Sequence, residues 1–418
     1  MPAIEPPHPN ADVRMRGFVE RATVEDAIAW VDSALSRFSD LGTEVVSLMS
    51  AAGRVLARDV ASSVNVPGFA RAMMDGFAVV AEDTQGATSY NPLPLKILGT
   101  CLPSVAFSER VAPGGAVRIM TGAPMPEGAD AVLPFENTQA DEHRVLATSE
   151  VSSSKHVGQP GEDVRAGDLV ARAGRVLLPQ DIGMLSALGI ASAPVVCRPR
   201  VRILITGNEL LPMGTPPRGY HITDANGPML AALVTRDGGE PAAPRLVPDD
   251  RDAILAALSE KSDVILVSGG SSVGREDHVP TLLAEHGELA IHGIAMRPSS
   301  PTGMGRLGGQ LVFLLPGNPV SCLCAYDFFA GRAIRVLGGR SRDWPYRRMR
   351  ARLTRKINSE IGRLDYARVQ ISGASAEPLA ISGASVLSSV TRADGFVIVP
   401  ADSEGFPDGA EVEAFLYQ

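Results

Sequence analysis

"VILVSGGSSVGREDHV", residues 264–279, decides the fold. Four aliphatic residues, Val264 to Val267, run into a Gly/Ser stretch, and a helix is predicted from about Asp277 to His286. A short, unbroken apolar run bounded by turn formers marks a strand buried on both faces. A strand, a loop and a helix in that order make half of a βαβ unit. The pattern repeats on either side. Val201–Ile205 leads through a loop to a helix from about Gly227 to Arg236. A strand over 242–247 leads through Pro248-Asp249-Asp250 to a helix ending near 262. A hairpin is predicted over 289–315, then a helix from Pro319 to Leu337. Residues 198–340 therefore read as a doubly wound, mostly parallel α/β sheet.

The flanks read differently. Val24, Ala27, Ile28, Val31 and Leu35 stand at helical spacing over 23–38, with Thr23 as N-cap and Asp26 three residues on. A second helix is predicted over 44–52. From 60 to 195 short apolar runs alternate with turn signals such as Pro67-Gly68, Pro113-Gly114-Gly115 and Pro160-Gly161, which predicts a β-rich region. Residues 179–189 read as a short helix stopped by Gly189. After 338–345 the β texture returns, as a small barrel or sandwich.

The chain has 418 residues, which suggests about three domains. Its net charge is −8 and no Lys/Arg cluster stands out, so a nucleic-acid partner is not expected. Arg347-Arg348-Met349-Arg350-Ala351-Arg352, the densest basic run, alternates like an exposed strand edge. Cys101, Cys197, Cys322 and Cys324 lack metal or redox spacing and read as reduced, mostly buried thiols. Residues 1–19 read as a flexible polar tail. No apolar run reaches the ~18 residues of a membrane helix, so neither a membrane partner nor any location other than the cytoplasm is expected.

Open parallel sheets bind ligands beyond the carboxyl ends of their strands. Four polar loops follow such strands: Thr206-Gly-Asn-Glu-Leu210, Val247-Pro-Asp-Asp250, Ser268 to Asp277 and Leu315 to Ser321. The glycines and serines of 268–274 suit backbone donation to a phosphate, although the loop is neither a Walker A nor a G-x-G-x-x-G motif. Glu209, Asp249 and Asp277 place carboxylates on the same rim, which suits Mg²⁺ beside a phosphate. A second cluster lies in the β-rich region: Asp75-Gly76, Thr121, Asp130, and Glu162 with Asp163 and Arg165. Spacing alone does not bring this cluster to the rim. His221, His278 and His292 lack metal-ligand spacing.

Ten segments in order resemble the molybdopterin molybdenumtransferases, the MoeA type that also forms the E domain of gephyrin: "PGFARAMMDGFAV", "TGAPMPEGADAV", "GEDVRAGD", "RPRVRILITGNEL", "DANG", "VPDD", "SGGSSVGRED", "LPGNPVS", "GRLDYARV" and "ADGFVIVP". The resemblance implies a multi-domain α/β plus β protein. A helical/β linking domain (20–65 with 160–197) would enclose a β-rich inserted lobe (66–159), followed by the doubly wound domain (198–341) and a C-terminal β-barrel (342–418). It implies an elongated homodimer, with the site between the α/β domain of one subunit and the β-rich lobe of the other.

The implied activity inserts molybdate into adenylylated molybdopterin and releases AMP, with Mg²⁺. Carried over by position, the catalytic residues are Asp75, Thr121, Asp163, Glu209, Asp249 and Asp277, the acids of the rim also holding metal. Ser268, Gly269, Gly270, Ser271, Ser272, Gly274, Pro316, Gly317, Asn318 and Pro319 would cradle the pterin phosphate. Arg297, Ser300, Ser321 and Arg368 would meet the oxyanion. Molybdopterin adenylyltransferase and molybdoenzyme apoproteins are the expected partners.

Two places depart from the family pattern. Asn208 stands where Gly-Asp-Glu-Leu has its Asp. Arg297-Pro298-Ser299-Ser300-Pro301 replaces Lys-Pro-Gly-Lys-Pro, and Gly293 replaces an earlier Lys. Lysine offers an oxyanion a compact charge, whereas serine donates only a neutral hydrogen bond, so weaker molybdate binding or a substitute cation is expected. The alternatives are a paralogue for tungstate or another oxyanion, and a non-catalytic carrier or scaffold for the cofactor.

Overall fold

The computed structural model describes residues 21–270, 278–380 and 383–417. They form two compact units. One contains residues 45–52 and 56–194; the other contains 53–55, the chain from Val195 onward and the segment up to Glu44.

In the second of these, Val264–Ser268 is the central strand and all five residues are buried. It lies parallel between Arg200–Thr206 and Gln310–Leu315. Val264 and Leu266 enter one hydrophobic core and Ile265 and Val267 the other, one on each face of the pleat. Each such aliphatic side chain contributes about 1.5–3 kcal/mol on burial. Glu240–Pro241 and Arg245–Val247 add parallel pairing on one side. Gly303–Leu307 and Glu288–His292 close the other side antiparallel. Helices Asn226–Arg236 and Pro319–Leu337 supply the first core, Arg251–Ser259 and His278–His286 the second. The Pro319–Leu337 helix carries a π turn at Tyr326–Ala330.

Helix Val24–Ser36 also packs into the first core, through Val24, Ala27, Val31 and Ala34. The Asp26 N–H donates to Thr23 Oγ1 at 3.0 Å, which satisfies the helix start. The sequence grouped this helix with the linking segment, whereas it buries its apolar stripe against the α/β sheet. The predicted helix over 44–52 is not formed. Thr43–Ser47 is a strand, followed by a 3₁₀ turn at Leu48–Ser50, and Val45 and Met49 are 68% and 92% exposed. The predicted single hairpin over 289–315 is two: Glu288–His292 pairs with Gly303–Leu307, which turns at Gly308-Gly309 into Gln310–Leu315.

Residues from Arg347 on form a closed ring of five strands, a barrel: Leu364–Ser372, Ser375–Ala380, Arg347–Leu353, Glu411–Leu416 and Gly395–Val399. The basic run pairs along its whole length with Glu411–Leu416 but meets Ser375–Ala380 only at Arg352, so it keeps an open edge over Arg347–Ala351. Its alternation reflects a solvent-facing side where Arg350 meets Glu411 at 3.4 Å. A buried polar seam ties the long helix to the barrel entry. Arg236 Nη2 donates to Asp327 Oδ1 at 2.9 Å, and Tyr346 Oη donates to Asp327 Oδ2 at 2.8 Å. Asp327 is fully buried, so removing Arg236 would strand its charge.

The other unit holds a six-stranded sheet ordered Ala131–Pro134, Gly76–Val79, Gly115–Ile119, Leu93–Cys101, Arg144–Ala147, Thr138–Ala140. Phe77, Val79 and Leu133 fill one core and Ala78, Val117 and Val132 the other. Val60–Ala61 pairs with Leu169–Ala171, so the chain on either side of this sheet comes together. Helix Pro179–Ala187 ends before Gly189, which adopts φ +76°. All four cysteines are free, and burial pushes the Cys322 thiol up to about 12. Among the described residues no helix is long and apolar enough to cross a membrane.

Candidate functional site

A cleft of about 580 Å³ opens at the carboxyl ends of Arg200–Thr206, Arg245–Val247, Val264–Ser268 and Gln310–Leu315. Glu209 and Asp249 lie on its wall. So do Ser268, Gly269 and Gly270, and Pro316, Gly317, Asn318 and Pro319. Ser271, Ser272, Gly274 and Asp277 fall outside the described residues.

The wall is built by short hydrogen bonds between loops. Asn208 N–H donates to Asp249 Oδ2 at 3.1 Å, and Asp249 N–H donates to Asn208 Oδ1 at 3.3 Å. Asn226 Nδ2 donates to Ser268 Oγ at 2.9 Å and to the Gly317 carbonyl at 2.7 Å. Gly269 has φ +95°, and a Cβ there would sit 2.2 Å from the Thr206 carbonyl oxygen. Only glycine allows those two loops to approach so closely. The helix Asn226–Arg236 starts at the cleft, with its Gly227 N–H held by Asp224 Oδ1 at 2.9 Å.

Thr206 Oγ1 and Asn226 Oδ1 are buried atoms without a hydrogen-bond partner among the described residues, and both residues line the cleft. An unmatched buried hydroxyl and carbonyl are costly, and a polar ligand would satisfy them. Thr206 and Asn226 stand in segments singled out by sequence, TGNEL and DANG, but no site role was expected of either. The signal was the asparagine at a helix start, a position where short polar side chains bond outward.

The carboxylates suit a hard divalent cation held with substrate phosphate. Among the described residues no group of three His, Cys, Asp or Glu side chains forms a ready ligand set.

In the other unit, Asp75 Oδ1 accepts from the Thr121 N–H at 2.7 Å and from its hydroxyl at 2.8 Å. These bonds, the backbone one first, hold the exposed Asp75 carboxyl below its ordinary value. Asp163 is exposed and its N–H donates to the Val66 carbonyl at 3.1 Å. Glu162 pairs instead with Arg71 at 3.1 Å.

The residues expected to meet an oxyanion are not on the cleft wall, although Pro301 of the same loop is. The Arg297 guanidinium pairs with Asp365 of the barrel. Ser300 Oγ is buried without a partner among the described residues. Ser321 is buried, its carbonyl accepting from Ser299 Oγ at 2.6 Å. Arg368 is fully buried on the barrel strand, and burial lowers its basicity.

Family models match in three consecutive stretches: the MoeA N-terminal region (domain I and II) over 22–189, a probable molybdopterin binding domain over 202–335, and the MoeA C-terminal region (domain IV) over 350–417. Molybdopterin molybdenumtransferase 2 of Mycobacterium tuberculosis is 37% identical over 334 residues, covering 77% of this chain and 82% of that protein. The chain belongs to the MoeA family of molybdopterin molybdenumtransferases. As a member it is a transferase of molybdenum cofactor biosynthesis. A putative molybdopterin biosynthesis protein of Methanocaldococcus jannaschii is 31% identical, with 91% of this chain and 94% of that one covered. The solved MoeA structure from Pyrococcus horikoshii OT3 matches with a TM-score of 0.79 at 30% identity, over 95% of this chain and 100% of that chain. The MoeA architecture thus accounts for the α/β domain, the β-rich sheet and the closed barrel together.

Proposed function

We propose that this MoeA family member inserts molybdate into adenylylated molybdopterin and releases AMP, with Mg²⁺. The observation that carries the reading is the cleft, which Glu209 and Asp249 line together with glycine-containing loops and two unmatched polar atoms. Backbone N–H groups at Gly269 and Gly270, both at positive φ, suit the phosphates. Thr206 Oγ1 and Asn226 Oδ1 suit the polar edge of a pterin. Glu209 and Asp249 would hold Mg²⁺, which neutralises phosphate charge as the phosphate link is broken. The chain's own part is to orient the two phosphates, set carboxylates beside them and present the pterin to the oxyanion.

The proposal includes a cytoplasmic homodimer in which Asp75, Thr121 and Asp163 of one subunit complete the cleft of its partner. The hydrogen-bonded Asp75–Thr121 pair, exposed and ionised, supports a polar role for that surface. Hand-over from molybdopterin adenylyltransferase and onward to molybdoenzyme apoproteins goes with it.

A carrier reading has one observation in its favour: the cation of the 297–301 loop is already paired with Asp365. One assay separates the two. The protein is given adenylylated molybdopterin, Mg²⁺ and molybdate, and AMP and metal-loaded cofactor are measured. AMP release that depends on molybdate is expected; tight pterin binding without any AMP would leave the carrier.

A further inference from the structure

The loop from Gly293 to Pro301 is fastened on three sides. Ala22 N–H donates to the Gly293 carbonyl at 3.0 Å, Leu364 N–H to the Ala295 carbonyl at 2.9 Å, and Ser299 Oγ to the Ser321 carbonyl at 2.6 Å. Met296–Arg297 runs parallel to Leu364–Asp365 as a two-residue strand. Its cation is fastened as well. Arg297 donates to Asp365, which is fully buried and also accepts from Ser359 Oγ at 2.8 Å. Arg363 lies 3.3 Å from the other oxygen of the same carboxylate.

We infer that Asp365 sets the charge of the oxyanion subsite, as a positioning residue that keeps Arg297 on the barrel and away from the bound anion. The inference rests on the proposal that this loop receives molybdate. The geometry gives the reason. A buried carboxylate is costly unless paired, so Asp365 holds Arg297 firmly. Two buried donors of the loop are unmatched among the described residues: Arg297 Nε, whose guanidinium is held by Asp365, and the Ser300 hydroxyl, one residue before Pro301 on the cleft wall. The oxyanion then meets a neutral donor instead of a charge-assisted one. This makes Asp365 a specificity determinant: it selects for ligands that do not need a cation at this point.

The test titrates molybdate alone into the full-length protein by calorimetry and measures AMP release in parallel. Asp365→Asn keeps shape and the Ser359 contact but weakens the hold on Arg297. Molybdate is expected to bind severalfold more tightly to it, and the gain is expected to vanish in Asp365→Asn with Arg297→Gln. Unchanged or weaker binding by Asp365→Asn, or a gain that survives in the double variant, overturns the inference. If Asp365→Asn does not fold, Arg297→Gln alone carries the test. Its molybdate affinity should equal that of the unsubstituted protein while its Tm falls, and a clear loss of affinity overturns the inference. Absent AMP release with this affinity pattern intact would remove the insertase reading and leave the role of Asp365 standing.

Discussion

Asn208 and Asp249 hold each other by a reciprocal pair of hydrogen bonds, each backbone N–H meeting the other's side-chain oxygen, at 3.1 and 3.3 Å. The asparagine that replaces the family's aspartate therefore aims the Asp249 carboxylate without adding a charge. Asn208→Asp keeps an acceptor for the Asp249 N–H and puts a second carboxylate beside the first. Mg²⁺ should then be needed at a lower concentration, because a hard cation gains an oxygen ligand. A Mg²⁺ titration of AMP release reads this, and an unchanged half-saturating concentration would separate position 208 from the metal.

Glu209 is exposed at the mouth of the cleft, so its loss should spare the fold. Glu209→Gln is expected to unfold within about 0.5 kcal/mol of the unsubstituted protein while AMP release falls to background. Retained turnover would take Glu209 out of the chemistry.

Asn226 joins two loops through one amide. Asn226→Ala should cost about 2 kcal/mol, since two bonds are lost and the Gly317 carbonyl is left unmatched. Chemical denaturation measures the cost. Pterin binding should weaken further than stability alone explains, which a comparison at a temperature well below both Tm values would show.

Thr121 sets the acidity of Asp75. In Thr121→Val the hydroxyl bond is gone and the Asp75 pKa should move up toward about 3.9, its ordinary value. The folded-state pKa lies below the unfolded one, so the bonds stabilise the fold above the unfolded value and that contribution disappears as pH falls through the folded one. Carboxyl NMR titration reads the shift, and the two proteins' stabilities should converge in strong acid.

Subunit exchange tests the proposed composite site. Glu209→Gln and Asp75→Asn proteins should each be inactive, and a refolded mixture should regain AMP release, because a heterodimer assembles one site with both residues intact. No recovery in a mixture shown to contain heterodimers would place both residues in one chain's site.

The α/β core was legible because its strands are short aliphatic runs that feed both cores. Val264 to Val267 cannot be solvated on either face, and the Gly/Ser residues after them cannot extend the strand. The placement of Glu209 and Asp249 on the rim was legible for the same topological reason. Other features depend on partners far along the chain. Val45 and Met49 sit at helical spacing with Leu48, yet their exposure shows no core for a helix face to meet. Where the open edge of Arg347–Leu353 stops depends on Ser375–Ala380, which joins it only at Arg352 and Leu353. The pairing of Arg297 with Asp365 joins positions remote in sequence, and no local pattern announces it. Thr206 and Asn226 became visible as candidate ligands only through what they lack, a partner for a buried oxygen.

The strand Met296–Arg297 is paired to Leu364–Asp365 at the margin of the closed barrel. The barrel is thereby not a portable module. A shuffled gene that kept residues up to the Gly338–Pro345 linker and exchanged everything after it would inherit an Arg297 with no acceptor, an Asp327 with no tyrosine and an unpaired edge beside the cleft. Lineages of this protein should accordingly exchange the two parts together, and changes at 297 should track changes at 365.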